Sequence, residues 1–390
     1  MPRHEKIFAA MGSSFYICLD TSLDGDYVDV LMNQLVERTE QLEQRMSRFR
    51  VDSELVQLNQ RLREPVKVSS TIREVLELAK VFMELSSGAF DPRVVSGLEG
   101  IGYAGAPLEA IDVGEPSRQR QESQAYSSEA DGSQVDGSQV DGSQVDGSQA
   151  DHSQADRSQL DGSQVDSSQV DDSQVDGSQV DRSQLDRSQP LFDVSSAPDH
   201  IRLYAPVDLG GIGKGYTADR LADLIEASVH PALRSGYIVD AGGDIVISGH
   251  QETGEGFAIG IEDPFGTNGE LAAALQLPHV EERMAICTSS LKRRSWEHDG
   301  ERVHHILDPR RQAPVPTHLK AVTAVGRSAA YTEVFTKCTM ISEGTNDYPW
   351  LGVPLAYVTI DDAQTLHYTR EMTPLLSWIS DKYQDARVVQ

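Results

Sequence analysis

Apolar residues recur at helical spacing in two stretches near the start of the chain. In DYVDVLMNQLVERTEQLEQRMSRF, Leu31, Leu35, Leu42, Met46 and Phe49 share one face with charged residues between them, which predicts a long amphipathic helix running to Phe49. A second helix is expected from about Thr71, which has capping-box spacing to Glu74; it carries Ile72, Val75, Leu76, Ala79 and Met83 on one face and stops at Gly88. Beyond residue 200 the apolar runs shorten. YIVDAGGDIVISG, FAIGIEDP, RMAICTSS, AVTAVGR and LAYVTIDD read as strands bounded by turn residues, with helical stretches at 214–228 and 329–341. The pattern predicts a mixed α/β (α+β) domain.

Neither period holds in the middle of the chain. From Ser133 to Ser188 the pair Ser-Gln returns every fifth residue, mostly with Asp two places after it. A five-residue β-helix would stack the slot filled here by Val, Ala and occasionally Leu, which makes a thin core. Low hydrophobicity and many Asp, Ser and Gln favour disorder instead. Residues 114–190 therefore read as an acidic repeat insertion between two parts of one domain, 1–113 and 191–390, and loop-closure entropy grows slowly enough with length to tolerate it.

Composition narrows the function classes. The formal net charge of −27 argues against nucleic acid as a partner. No apolar run approaches the roughly 18–20 residues that span a bilayer, so membrane insertion is not expected. MPRHEKIFAAMGSSF has no long apolar segment of the signal-peptide kind, which makes a cytoplasmic location the expectation. Cys18, Cys287 and Cys338 lack CxxC spacing, so neither a disulfide framework nor a zinc site is suggested.

Several segments carry candidate chemistry. DLGGIGKGYTADRL sets four glycines around Lys214 before a helix. It is not a nucleotide P-loop, because Asp208 takes the first glycine slot and Gly215 the Ser/Thr slot; counted from Gly211, Tyr216 fills the third glycine position of a dinucleotide fingerprint. Close backbone approach to a phosphate remains open, as does a plain glycine-rich turn. Gly242 and Gly243, flanked by Asp240 and Asp244, suit either a hairpin turn or a ligand contact. CTSSLKRRSW offers Thr288, Ser289 and Ser290 followed by Lys292, Arg293 and Arg294, an anion-attracting group or a solvated loop. HHILDPR combines His304 and His305 with Asp308 and Arg310: a proton acceptor, a carboxylate and a cation for phosphate.

Taken in order and approximate spacing, MGSSF, MSRFRVDSELVQLN, SSGAFDP, VDLGGIGKGYTADRLADLI, YIVDAGGDIVISG, FAIGIEDP, AICTSS and HHILDPR resemble the ApbE family of FAD:protein FMN transferases. The resemblance implies a T-fold-like architecture that takes FAD as substrate with Mg2+, moves FMN to a Ser/Thr hydroxyl of a target flavoprotein and releases AMP. Carried onto this chain, it implies His305 and Asp308 as catalytic residues. It implies FAD contacts from Phe49, Glu54, Asn59, Asp91, Asp208, Gly210, Gly211, Lys214, Gly215, Asp240, Gly242, Gly243, Asp244, Thr288, Ser289 and His305. The implied metal set is Gly211, through its carbonyl, with Glu333 and Thr336.

Three departures stand out. The family places threonine four residues after an acid in a late helix, both reaching the metal, whereas here Glu333 is followed by Lys337. Three readings are open: the ammonium takes over part of the metal's charge, Thr336 turns inward, or the two form a plain i,i+4 pair. Arg311 and Gln312 replace a small hydroxyl residue and a glycine, which would strain a turn needing positive φ, and Ser87 stands where a glycine is common. These changes leave open reduced activity, altered specificity, or loss of transfer with retained binding; the alternative activities are an FAD pyrophosphatase, in which water replaces the acceptor hydroxyl, and a catalytically impaired FAD-binding protein.

Overall fold

Strands of the central sheet are hydrogen-bonded in the order in which the chain makes them. The computed structural model describes residues 1–103, 189–194, 197, 199–251, 253–277, 280–344 and 356–389, all within the unit formed by Met1–Ser123 and Ser183–Gln390. The expected repeat insertion lies outside the described residues, apart from Gln189 and Pro190 at its end. Among the described residues the sheet has nine strands: β1 Arg3–Ala10, β2 Ser13–Thr21, β3 Arg234–Ala241, β4 Asp244–Gly249, β5 Val280–Ser290, β6 Leu319–Gly326, β7 Ala356–Asp361, β8 Leu366–Thr369 and β9 Arg387–Val389. Every neighbouring pair is antiparallel except β8 with β9. The β1–β2 hairpin, not foreseen in the sequence, pairs through Phe15↔Ala241 to Asp20↔Gly236 with β3.

Alternation along the strands sorts the core into two faces. Phe15, Ile17, Leu19, Tyr237, Val239, Val246, Ala285 and Cys287 point to the side covered by helices. Ile245, Ile247, Ile286, Val325 and Val358 point to the other, where a three-stranded sheet packs. FAIGIEDP belongs to that smaller sheet, with Phe257, Ile259 and Ile261 buried and Ala258 and Gly260 exposed. Among the described residues the α-helices are α1 Gly25–Met46, α2 Glu54–Gln60, α3 Ser70–Leu85, α4 Val95–Gly100, α5 Gly213–Ser228 and α6 Ala329–Ile341. None of them is long and apolar enough to cross a membrane. All three cysteines are buried free thiols.

Two helix boundaries differ from the sequence reading. Helix α1 stops at Met46 instead of running to Phe49, because Ser47 turns the chain: its Oγ accepts the N–H groups of Phe49 (3.2 Å) and Arg50 (3.3 Å), and its carbonyl accepts the Ser53 hydroxyl (2.6 Å). Helix α3 is capped by Ser69, whose Oγ accepts the Ile72 N–H, not by Thr71. Glu74, the expected partner in that cap, instead accepts the Tyr216 hydroxyl (2.9 Å) and Arg220 Nη1 (3.0 Å) of α5. Phe82 rather than Met83 is buried on the α3 core face.

Candidate active site

The glycine-rich segment joins an irregular stretch to α5, and its path is set from both ends. Asn59 holds the backbone of Val207. The Asp208 carboxylate then accepts the Gly210 N–H at 2.7 Å and Arg48 Nε at 2.8 Å, fixing the bend. A Cβ on Gly210 would lie 2.9 Å from Asp208 Oδ1; one on Gly211 would lie 3.2 Å from Phe90 Cε2 and 3.7 Å from Lys337 Cδ. The loop thus passes close over Phe90 and the Lys337 stem. Gly215 serves a different purpose: a Cβ there would sit 2.4 Å from the Ala329 carbonyl oxygen, so this glycine lets α5 and α6 touch.

That helix contact assembles a buried charge cluster. Lys214 bonds Asp244 and lies 3.5 Å from Glu333 Oε1, while Lys337 Nζ donates to the same oxygen at 2.9 Å. Glu333 Oε2 accepts the Gly215 N–H at 2.8 Å. Burial and the neighbouring Glu333 push the Asp244 carboxyl up to about 6, against the pull of Lys214. Burial works against Glu333 ionising too, but the Lys337 and Lys214 ammoniums and the Gly215 N–H outweigh it and hold its pKa below the ordinary glutamate value. Burial likewise disfavours the Lys214 ammonium, and Asp244 with Glu333 reverses that, raising it.

Above this cluster opens a cavity of about 330 Å3, within the range of small-molecule sites, about 300–1,000 Å3. Lys214, Lys337, Arg294 and Arg48 line it. No carboxylate among the described residues pairs with Arg294, whose Nη2 lies 3.5 Å from Ser13 Oγ. One wall is aromatic: the Arg48 guanidinium sits 4.5 Å from the Phe49 ring centroid, Phe49 meets Tyr103 edge-on at 5.8 Å, and Tyr103 stacks on Trp296 at 5.4 Å. His305 faces the same cavity. Its Nδ1 lies 3.3 Å from the Arg294 carbonyl. A carbonyl oxygen only accepts, so Nδ1 carries the proton and Nε2 is the acceptor. Burial, with Arg294 and Lys337 nearby, pushes this imidazole well below the ordinary histidine value, so it is neutral at pH 7.

Of the residues singled out in the sequence, Phe49, Asp91, Asp208, Gly210, Gly211, Lys214 and His305 line the cavity. Asp91 is buried and spent on Arg93, whose backbone N–H (3.0 Å), Nε (2.9 Å) and Nη2 (2.8 Å) it accepts. Asp244, Gly215 and Glu333 lie one layer behind. Glu54 accepts the Ser69 N–H at 2.5 Å and Asn59 holds Val207, so both shape the surroundings without lining the cavity. Gly242 and Gly243, with φ of 69° and 97°, are the two-residue turn of the β3–β4 hairpin, and Asp240 accepts the Gly243 N–H at 2.7 Å. Thr288 pairs with Thr323 at 2.9 Å across β5 and β6. Asp308, expected beside the base, accepts the Arg310 N–H at 2.9 Å in the Pro309 turn and does not line the cavity. Lys292 and Arg293 are bound to Glu262, which leaves Arg294 alone of that trio in the cavity. Arg48, Phe90 and Tyr103 were missed in the sequence, where they stand far from the glycine-rich loop.

The implied magnesium set fits poorly. Magnesium requires free oxygen donors at about 2.0–2.1 Å in near-octahedral array. Both Glu333 oxygens already accept an N–H donor, Oε1 from the Lys337 ammonium and Oε2 from the Gly215 backbone, and the Lys214 ammonium lies 3.5 Å from Oε1. Thr336 is buried, shares a 2.8 Å hydrogen bond with Ser289 and donates to the Glu333 carbonyl at 2.9 Å. Among the described residues no group of three His, Cys, Asp or Glu side chains is arranged to hold a metal.

The fold is mixed α/β, and its cavity brings Arg48, Lys214, Arg294 and Lys337 together beside the Phe49 and Tyr103 rings. The ApbE family profile matches residues 11–351, and the chain belongs to that family. An FAD:protein FMN transferase of Klebsiella pneumoniae is 32% identical over 131 residues, covering 33% of this chain and 37% of that protein. One from Treponema pallidum is 33% identical over 141 residues, covering 34% and 37%. The chain therefore spans little more than a third of the curated relatives it matches. In structure it resembles the ApbE protein of Thermotoga maritima, with a TM-score of 0.66 at 19% identity and coverage of 96% and 99% of the two chains. The apo flavinyl transferase ApbE of Pseudomonas stutzeri gives 0.64 at 18%, covering 97% and 98%.

Proposed function

We propose that this protein is an FAD:protein FMN transferase that holds FAD in the cavity and passes FMN to a Ser/Thr hydroxyl of a target flavoprotein. The observation that carries the reading is His305, a neutral base with Nδ1 engaged, beside Lys214, Arg294 and Lys337 in one cavity. The names of the curated relatives and the family membership support it.

In this reaction the acceptor oxygen attacks the phosphorus of the FMN half. The bond from that phosphorus to the bridging oxygen breaks, and AMP leaves with that oxygen. The hydroxyl proton passes to His305 Nε2. The three cations offset charge on the pyrophosphate and on the departing AMP, which is where electrostatic preorganisation counts most. Phe49 and Tyr103, whose rings meet edge to face, supply the aromatic wall against which a flavin ring would pack. No step is assigned to magnesium, because Glu333 and Thr336 are committed elsewhere.

The test is AMP release from FAD with and without a flavoprotein bearing an acceptor Ser/Thr, scored alongside covalent flavin on that protein. AMP only with the acceptor, accompanied by covalent flavin, supports transfer. AMP without an acceptor means hydrolysis to FMN and AMP. FAD binding with no AMP in either case means an impaired enzyme.

A further inference from the structure

The charge cluster is layered. Asp244 and Glu333 are 1% exposed at their side chains and form the lower layer, whereas Lys214 and Lys337, at 14% and 16%, reach the cavity. An anion entering the cavity meets two ammonium heads whose counter-ions lie beneath them. Lys337 stands on α6 one turn after Glu333, and its stem runs under the Gly211 backbone. A divalent cation could reach Glu333 only by displacing both ammoniums from it, against the repulsion of each. Thr336 offers no alternative donor, since its hydroxyl is held by Ser289 and Glu333.

We infer that Lys337, together with Lys214, is a fixed cationic seat for the FAD pyrophosphate in place of a divalent metal, so that this chain binds its flavin substrate without magnesium. The inference rests on the FAD reading above. It makes Lys337 a binding residue, and it makes the departure from threonine at this position a functional substitution.

Flavin fluorescence titration of the full chain with FAD, in EDTA and in millimolar magnesium, tests it. The wild-type dissociation constant is expected to agree within about twofold between the two conditions. Lys337→Thr removes one charge-assisted phosphate contact and is expected to weaken binding in EDTA by about tenfold or more, with recovery on adding magnesium. Lys337→Met, which keeps the stem without the charge, should show the same loss without recovery. In parallel, magnesium should leave the thermal midpoint of ligand-free wild type unchanged. A wild-type affinity that collapses in EDTA, or a Lys337→Met protein that binds FAD as well as wild type, overturns the inference while leaving the FAD reading intact. Absence of FAD binding by wild type in both conditions overturns the FAD reading and the inference with it.

Discussion

Asn59 and Val207 lie 148 residues apart and exchange two hydrogen bonds: Asn59 Nδ2 donates to the Val207 carbonyl at 2.8 Å, and the Val207 N–H donates to Asn59 Oδ1 at 2.9 Å. The side-chain amide acts as a piece of backbone, and Asp208 begins the cavity loop immediately after it. Replacing Asn59 by Ala leaves two buried backbone groups unpaired and should cost about 1–3 kcal/mol. Asn59→Asp keeps the acceptor but sets an oxygen against the Val207 carbonyl, so it should be no milder. Urea unfolding gives the stability, and FAD titration at a temperature where both variants are folded should show weaker binding.

Asp91 and Arg93 form a buried ion pair, with side chains 2% and 4% exposed. Removing the acid alone strands a guanidinium, and Asp91→Ala should destabilise the fold by about 3–5 kcal/mol. If Asp91 instead contacts FAD directly without a structural role, affinity will fall while the unfolding midpoint stays put. The double change Asp91→Ala, Arg93→Met should recover part of the lost stability.

His305→Ala should lower the transfer rate by about 100- to 10,000-fold and leave FAD affinity nearly intact. Unchanged turnover removes His305 from the mechanism. The pH dependence has a defined sign. The imidazole's folded-state pKa lies well below 6.5, so below that pH the unfolded chain binds the proton more readily. Its contribution to stability is complete above pH 6.5 and is lost as pH falls toward the folded value. Relative to His305→Gln, wild type should therefore lose stability between pH 6.5 and 5, while showing no change attributable to this residue from pH 7 to 8.

Gly215→Ala drives a methyl group into the Ala329 carbonyl and parts α5 from α6. A loss of about 2 kcal/mol or more is expected, along with disruption of the Gly215 N–H bond to Glu333. Calorimetry on the variant checks it; a midpoint within a degree of wild type would falsify the close approach.

Much of the fold was legible where one period ran uninterrupted. Helices α5 and α6 fall where the sequence put them, and YIVDAGGDIVISG takes the hairpin form, one of its two readings, since two adjacent positive-φ positions suit Gly-Gly. The β1 strand was not legible because its partly exposed residues, Arg3, His4, Glu5 and Lys6 among them, mix charge with no clean alternation. Ser47 carried the signal that ends α1, as a residue that competes for backbone N–H groups, but the apolar period running on to Phe49 masked it. Asp308 reads as a partner for histidine by proximity in sequence, whereas the following proline makes it a turn former.

The departures from the family pattern were visible and their resolution was not. Gln312 does adopt positive φ, 52°, and its side chain offsets the strain by donating to the Arg93 and Pro309 carbonyls at 2.9 Å and accepting the Gly97 N–H at 3.2 Å. Ser87, at φ 49°, is exposed. Ser87→Gly should accordingly raise stability by about 0.5 kcal/mol, measurable as a higher unfolding midpoint, whereas Gln312→Gly should lower it.

Because β2 pairs with β3, the segments before residue 104 and after residue 188 share one sheet, and the cavity draws from both. Arg48, Phe49 and Tyr103 come from the first; Lys214, His305 and Lys337 come from the second. Neither segment alone owns a complete site. Expressed as two separate polypeptides, the protein would behave as an obligate heterodimer, its flavin affinity rising and falling with the docking of one edge hairpin and four helices onto the remaining strands.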